Sequence, residues 1–391
     1  MALAVVALCM LATPALAEPP SARDIDKLIA ELASEDFGAR EAAADELTSI
    51  GLPALAALEI AAAQPGLEQR IRSRRIAGLI REQDLKRRLD AFLSGQDKAD
   101  DYALPGWTRF KKSYGDDNQT RALFVEMLRA DPNLLGAIEA GPRPAAEAVA
   151  QQAAQLQQSL QFGIQQQLSA GQLAACLFVA AEADVALSST AMSLLYSQCQ
   201  QQPHRDVIVS GSRGGLPRKM LGSIVRRSDD ATAYMAMQLS NQLNLPEGIV
   251  PALKILENKT TVRSSYYTAT ALVTVARTKD KAHLPLVESL LKDNKTVSQT
   301  QINGGALIQL QVRDAALAAA ILLSDQELKD YFDFTGKSQP TDPQSILLNP
   351  TLIGFKADDD RAAVFKKWEV YQARRAAEGG GRAANAAPAS P

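Results

Sequence analysis

The stretch SARDIDKLIAELASEDFGAREAAADELTSIGLPALAAL, residues 21–58, decides the fold class. Ile25, Leu28 and Leu32 recur at the 3.6-residue period that places apolar side chains on one face of a helix. After a polar break, residues 40–50 carry a second apolar face of the same kind. The stretch therefore predicts two helices joined by a short turn.

Glycine and proline mark where these predicted helices end and begin. Gly51 stands just after the second apolar face and Pro53 opens the next one, which is the usual placement of these residues at helix ends. Leu55 then takes the place that Ile25 holds in the first pair. Two helical hairpins of about 30 residues each are therefore predicted near the N-terminus.

The same unit returns towards the C-terminus. Residues 249–256 and 262–273 carry the apolar faces of another helix pair, and a further pair begins near Pro285. The second helix of that further pair begins only at Val312. The segment before it, residues 296–311, is rich in Thr, Val, Gln and Ile around an Asn-Gly dipeptide, which favours a two-residue hairpin turn. We therefore predict a β-hairpin inserted between the two helices.

Composition also favours an α protein. Phe, Trp and Tyr make up 5% of the chain, Ala, Leu, Gln and Glu are abundant, and runs rich in β-branched residues are scarce. A single helical hairpin cannot bury its own apolar face, so neighbouring hairpins must stack. We expect an all-α protein, an α-solenoid of antiparallel helical hairpins with one small inserted β-hairpin at about residues 296–311.

The predicted organisation follows from these patterns and from changes in composition along the chain. Its segments are a signal peptide (1–17), N-terminal repeats (18–95), a helical linker containing Trp107 (96–145), Ala/Gln-rich helical hairpins (146–230), C-terminal repeats with the inserted hairpin (231–335), a loop and C-terminal helix (336–377), and a disordered tail (378–391).

The first residues have the features of a secretory signal. The apolar run at 2–12 is too short to span a bilayer, which needs roughly 20 apolar residues. It is followed by Ala15-Leu-Ala17, a small-x-small cleavage pattern. A basic segment before the run is missing, which leaves open either a start further upstream or a weak signal. A lipid anchor at Cys9 is the less favoured alternative to cleavage. We expect cleavage after Ala17, export to the periplasm or the cell exterior, and no later membrane-spanning segment.

Charge and motifs exclude several function classes. A formal net charge of −2 does not favour binding to nucleic acid or to polyanions in general. His204 and His283 have no metal-binding or catalytic partner motif, and no HExxH, GxSxG, phosphate-loop or dinucleotide fingerprint is present. We therefore expect no enzyme activity, no cofactor and no metal. Cys176 and Cys199 are expected on adjacent antiparallel helices as two separate thiols, because a disulfide needs Cα atoms within about 7 Å.

Several short segments resemble known repeat proteins. DFGAREAA (36–43), TVR (261–263) and VRDAAL (312–317) resemble HEAT-like repeats of the kind found in bacterial lyase-associated proteins. Segments similar to a group of exported planctomycete HEAT-like proteins are LPGWTRF (104–110), LFVEML (123–128), QVRDAAL (311–317) with DQELKDY (325–331), and Gly354-Phe355 with residues 360–368. The resemblance covers most of the chain after residue 17 and implies a HEAT-like solenoid. It implies no particular activity, because a solenoid is a platform that many functions share.

Arginines at the start of the second helix of each repeat have a predicted structural role. These arginines are Arg40, Arg72, Arg263 and Arg313. They are expected to tie neighbouring repeats together through carboxylates such as Asp36 and Asp314.

The inserted hairpin is the first predicted contact surface for a partner. Its residues Thr300, Gln301, Ile302 and Asn303 belong to a largely polar segment that gains little from burial. A free strand edge accepts an extended peptide through main-chain hydrogen bonds. We predict that this hairpin projects from the solenoid and contacts another protein. The alternative is a packing flap over the last repeat.

A basic stripe is the second predicted contact surface. Arg70, Arg74 and Arg81 project from one side of a predicted helix, where they are suited to an anionic envelope polymer, a lipid headgroup or an acidic protein. The alternative is an ordinary solvated helix face. Trp107, Phe110 and Tyr114 are spaced either to stack on sugars or bases or to form core. Their helical spacing on one face favours core.

Two function classes remain at the level of sequence. The favoured one is a non-catalytic scaffold or adaptor, in the cell envelope or secreted, that binds a protein partner through the solenoid surface. The alternative is an accessory subunit or lyase-like enzyme that holds a small substrate in the solenoid groove. A deep polar pocket built by several repeats favours the second class, and a shallow groove with an exposed edge favours the first.

Overall fold

The structure is a computed structural model that describes residues 21–95, 102–164, 166–257, 259, 264–302, 307–334 and 340–385, without the side chains of 378–385. Of the described residues, 74% lie in helices and 4% in strands, which confirms the all-α class with one small sheet. The predicted signal peptide, the predicted helix start at Val262 and the Asn-Gly turn lie outside the described residues. Two compact units divide between Ala103 and Leu104, inside the predicted helical linker.

The first unit contains the two predicted N-terminal helix pairs. Their bounds are α1 (Ala22–Glu31), α2 (Phe37–Ile50), α3 (Leu52–Ala61) and α4 (Leu67–Ser94). Helix α2 packs on α1, and α4 packs on α3 and α2. Ile25, Leu32, Leu47 and Leu58 are buried in the core between them, as the periodicity predicts. Gly51 has a φ of 71°, a left-handed value that lets the chain leave α2 and enter α3 at once.

The second unit holds the remaining helices and both strands. Their bounds are α5 (Trp107–Tyr114), α6 (Asn118–Ala130), α7 (Pro132–Ala140), α8 (Pro142–Gln161), α9 (Ala170–Ala181), α10 (Ser189–Gln200), α11 (His204–Ser210), α12 (Leu216–Arg226), α13 (Ala233–Leu243), α14 (Ile249–Leu256), α15 (Ser265–Thr278), α16 (Leu284–Ser289), β1 (Thr296–Gln301), β2 (Leu307–Gln311), α17 (Val312–Leu323), α18 (Pro343–Leu347), α19 (Pro350–Ile353) and α20 (Asp358–Asn385). Short 3₁₀ turns lie at Arg213–Gly215, Pro246–Gly248, Lys281–His283 and Leu328–Asp330. Helix α20 continues past Glu378, into the segment where a disordered tail was predicted.

Helices α15 and α17 form the centre of the C-terminal core. Helix α15 packs on α14, α17 and α18. Leu272 and Val275 of α15 and Leu317 and Ile321 of α17 are fully buried. A helix covered on several sides must be apolar around most of its surface, which explains the Ala-rich and Val-rich composition of both segments.

The predicted β-hairpin is present. Strands β1 and β2 are antiparallel, with Ser298 opposite Leu310 and Thr300 opposite Ile308. The register shifts between Thr296 and Ser298, so β1 is bulged near its start. The hairpin leads directly into α17, because β2 ends at the residue before that helix begins.

Among the helix-start arginines that the structure describes, Arg72 links two neighbouring helix pairs as predicted, and Arg313 lies 3.5 Å from Asp358 of the last helix (Nη2 to Oδ1). Arg263 lies outside the described residues. Its guanidinium donates to Glu41 of α2 at 2.7 Å (Nη1 to Oε1), and so links two helix pairs. Arg40 instead donates to main-chain carbonyls, at 2.6 Å to the oxygen of Ser34 and 2.9 Å to that of Glu35. The prediction that Arg40 pairs with a carboxylate is therefore wrong.

Asp314 also has a different partner from the one predicted. It is fully buried, and its Oδ1 lies 2.9 Å from Nε of Arg361 in α20. Arg313, its neighbour in sequence, donates to the side-chain oxygen of Gln311 at 2.6 Å. The carboxylate of Asp314 thus ties the start of α17 to the last helix rather than to a neighbouring repeat.

Cys176 and Cys199 are free and buried, in agreement with the prediction of separate thiols. Burial raises the pKa of both Cys176 and Cys199 to about 12. The thiolate is the reactive form, so both groups should be inert in the folded protein. We expect iodoacetamide at mildly alkaline pH to leave both thiols unmodified, and to modify both in concentrated urea. Mass spectrometry checks this, and modification of either thiol in the native protein would contradict it.

Candidate functional site

The described residues contain no cluster of three or more His, Cys, Asp or Glu side chains able to hold a metal ion. His204 is 3% exposed, its Nε2 has no hydrogen-bond partner within the described ranges, and burial lowers its pKa. It lines the same small cavity as Ala174 and Leu177. His283 lies beside Asp280, with 3.8 Å between Nε2 and the carboxylate. Neither histidine is held against a nucleophile among the contacts described.

The basic stripe of the first unit is weaker than predicted. Arg81 forms an ion pair with Glu59 of the preceding helix, which compensates its charge. Arg74 is exposed and Arg70 is half-buried, and neither makes an ion pair with a residue that the structure describes. The stripe therefore offers two uncompensated charges rather than three. Both stand beside the exposed apolar side chain of Ile71.

The aromatic segment of α5 belongs to the core. Trp107 and Phe110 are both 0% exposed. Phe110 lies edge-to-face against Phe178 of α9, with 5.0 Å between ring centroids. These rings have no face available for a sugar or a base, which confirms the preference for core over a stacking platform.

The two strands of the inserted hairpin differ in burial: β2 packs against the core and β1 lies at the surface. Ile308 and Leu310 of β2 are buried, whereas β1 is exposed or half-buried throughout. A Cβ at Gly354 would lie 2.8 Å from the side chain of Ile308, so the segment before Phe355 lies directly against β2. The prediction that the whole hairpin projects from the solenoid is therefore wrong for β2. Its apolar residues gain more from burial in the core than the polar residues of β1 would.

One main-chain bridge decides which edge of the hairpin is available. The N–H of Gln309 donates to the carbonyl of Phe355 at 3.0 Å, and the N–H of Phe355 donates back to Gln309 at 3.0 Å. Directly opposed residues in an antiparallel pair either exchange both hydrogen bonds or exchange none. The main-chain N–H and C=O of Gln309 are bonded to Phe355 and therefore not to β1. The main-chain N–H and C=O of its partner Gln299 must then also face away from β2. Gln299 is exposed, so the outer edge of β1 is presented to the surroundings at this residue, whereas at the start of β1 the carbonyl of Thr296 accepts a hydrogen bond from the hydroxyl of Ser265 in α15.

The predicted hairpin residues cluster around this edge. Thr300 is half-buried opposite Ile308, and Gln301 is exposed opposite Leu307. Ile302 is half-buried just after β1, and Asn303 lies outside the described residues. Gln299 was missed at the level of sequence, because its orientation follows from the Phe355 bridge, which no local pattern indicates.

A cavity in the second unit was also missed. It has a volume of about 380 Å³ and lies where α13 and α15 end. Asn241, Thr274 and Arg277 are among the residues that line it. These side chains come from two successive helix pairs, so no single stretch of sequence carries the site.

No family model, no curated protein sequence and no solved structure matches this chain. No helix in the described part of the chain combines the length and the apolar character needed to cross a bilayer.

Proposed function

We propose that this chain is a non-catalytic scaffold, exported to the cell envelope or beyond, that binds an extended segment of another protein along the outer edge of β1. The observation that carries the proposal is the outward orientation of the Gln299 main chain, which follows from the Gln309–Phe355 bridge. An edge of this kind adds a further strand through main-chain hydrogen bonds.

The proposal includes a HEAT-like α-solenoid as the platform. Its support is the recurrence of helix pairs in the sequence, the contacts of α2 with α4 and of α14 with α15, and the link from Arg72 to Glu41. A rigid platform suits strand addition, because β1 then loses little conformational freedom when a peptide binds. The packing of β2 through Ile308 and Leu310 supplies that rigidity.

The substitution Gln299→Pro tests the edge without removing the hairpin. Proline is tolerated where the main-chain N–H faces away from the ladder. The free energy of unfolding of the variant should therefore lie within about 0.5 kcal/mol of that of the parent. It should nevertheless lose the extended partner, because the outward donor is gone. Affinity capture from envelope extracts with parent and variant as baits, compared by quantitative mass spectrometry, measures the loss.

Two matched variants complete the experiment. Thr300→Pro removes an inward N–H from the ladder and should destabilise the fold by about 1–3 kcal/mol, which checks the assigned register. Arg70→Gln combined with Arg74→Gln tests the basic stripe in the same capture. If Gln299→Pro keeps every partner while the arginine variant loses them, the edge proposal fails and an anionic partner of the first unit takes its place.

A further inference from the structure

The first turns of α4 expose large apolar side chains and arginines together. Leu67 is 61% exposed and Ile71 is 53% exposed, although side chains of this kind are most often buried in folded proteins. Arg74 and Arg75 are exposed, and Arg70 is half-buried. Helix geometry of about 100° per residue places all five side chains within an arc of about 140°. They form one surface, which we call the α4 patch.

The arginines of the α4 patch are not compensated by the helices beside them. None of the three makes a hydrogen bond or an ion pair with a residue that the structure describes. The acids that lie close to α4 have other partners. Glu68 and Glu41 both bond Arg72 at 2.7 Å, and Glu59 of α3 pairs with Arg81. The patch therefore keeps its positive charge.

Charge is also divided unevenly among the helices of the first unit. Helix α4 carries eight Lys and Arg against four Asp and Glu, whereas α1, α2 and α3 each carry more acids than bases. In α2, the equivalent helix of the preceding pair, Arg40 bonds main-chain carbonyls, and the exposed charged residues are Asp45 and Glu46. The helical hairpin therefore does not require exposed arginines at this place.

We propose that the α4 patch docks on the surface of a lipid bilayer that contains anionic lipids. The arginines bind the lipid phosphates, and Leu67 and Ile71 enter the boundary between headgroups and acyl chains. A soluble polyanion would use the arginines but would leave both apolar side chains in water. The acidic helices α1 to α3 are repelled by the same surface, which turns α4 towards it. The patch takes no part in the β1 edge, so either proposal can fail without the other.

Vesicle binding tests the proposal. The protein is the chain that begins at Glu18, which retains every residue that the structure describes and omits the apolar run at residues 2–12. The probes are vesicles of phosphatidylcholine alone and of phosphatidylcholine with phosphatidylglycerol at about 3:1. We expect co-sedimentation with the anionic vesicles, binding to the neutral ones that is weaker by about tenfold or more, and release from the anionic ones at about 0.5 M NaCl.

Two double variants separate the two kinds of side chain. Arg70→Gln with Arg74→Gln should weaken binding to the anionic vesicles about twentyfold, because one arginine near such a surface contributes about fivefold. Leu67→Ser with Ile71→Ser should weaken it about fivefold, because binding also scales with the apolar area that is buried. These side chains are exposed or half-buried, so circular dichroism of both variants should match that of the parent.

Arg23→Gln with Lys27→Gln is the matched control. It removes the same charge from exposed positions of α1 and should change binding less than about twofold. Equal losses in this control and in the Arg70 and Arg74 variant would show a general attraction of the chain to anionic vesicles and would overturn the site.

A tryptophan at position 71 reports on insertion directly. Trp107 and Trp368 are 0% and 1% exposed, so the added ring of Ile71→Trp is distinguished from them by its exposure. Its emission should shift to the blue by about 10 nm on anionic vesicles, because indole rings settle at the bilayer interface. Ala30→Trp, on the charged face of α1, should not shift. An unshifted Ile71→Trp, or a serine variant that binds as the parent does, overturns the bilayer in favour of a soluble polyanion, and absence of binding to anionic vesicles overturns the proposal outright.

Discussion

Replacing Arg361 by methionine is expected to lower the free energy of unfolding by about 3–5 kcal/mol, because it leaves the carboxylate of Asp314 buried without its cation. Arg361 is 4% exposed and Asp314 is 0% exposed, so water cannot replace the lost partner. Urea unfolding followed by circular dichroism measures the change. Since Arg361 also donates to the carbonyl of Gln309 at 3.4 Å, the hairpin should lose protection from hydrogen exchange in the same variant.

An exposed ion pair provides the control for this substitution. Arg143 and Glu147 lie one turn apart on α8 at 2.9 Å (Nε to Oε1), and both side chains are mostly exposed. Arg143→Met should therefore cost no more than about 0.5 kcal/mol. Equal losses for Arg143→Met and Arg361→Met would show that the Asp314 pair is not buried as described.

The cost of Arg361→Met should also depend on pH. Burial raises the pKa of the Asp314 carboxyl, and Arg361 opposes that shift. Without Arg361 the folded-state pKa rises further above its ordinary value of 3.8, so folding favours the protonated acid. A raised folded-state pKa gives stability that is present below the unfolded pKa and lost as the pH rises through the folded one. The difference between parent and variant should therefore be smallest in acid and full at neutral pH.

Gly171→Ala is expected to have the second-largest effect, a loss of about 1–3 kcal/mol from overpacking. A Cβ at Gly171 would lie 2.6 Å from the carbonyl oxygen of Glu126 and 2.7 Å from Cβ of Ala130. The first neighbour is main chain of α6 and cannot move aside without disturbing that helix. Thermal and urea unfolding measure the loss.

Gly136→Ala is the matched control in the same unit. Gly136 lies within α7, and a Cβ there would meet no atom within 4 Å. Alanine should stabilise the protein by about 0.5–1 kcal/mol, because it restricts the unfolded chain more than glycine does. A stabilising Gly171→Ala would mean that α6 and α9 do not approach as closely as the structure has them.

Local sequence determined the helices and their ends. The apolar period of residues 21–32 and 40–50 predicted α1 and α2, and Gly51 with Pro53 predicted the stop between α2 and α3. The segment at 296–311 predicted the hairpin, because its composition and turn residues are local properties. In each case the deciding interactions join residues close in the chain.

Contacts between distant segments decided the rest. Asp314 pairs with Arg361 rather than with an arginine of its own repeat, and Phe355 fixes which edge of the hairpin faces outward. The cavity beside Asn241 depends on where α13 and α15 end relative to each other. Periodicity specifies which face of a helix is apolar but not which element covers it. Burial, partner choice and the surfaces left for binding therefore follow only from the packed tertiary structure.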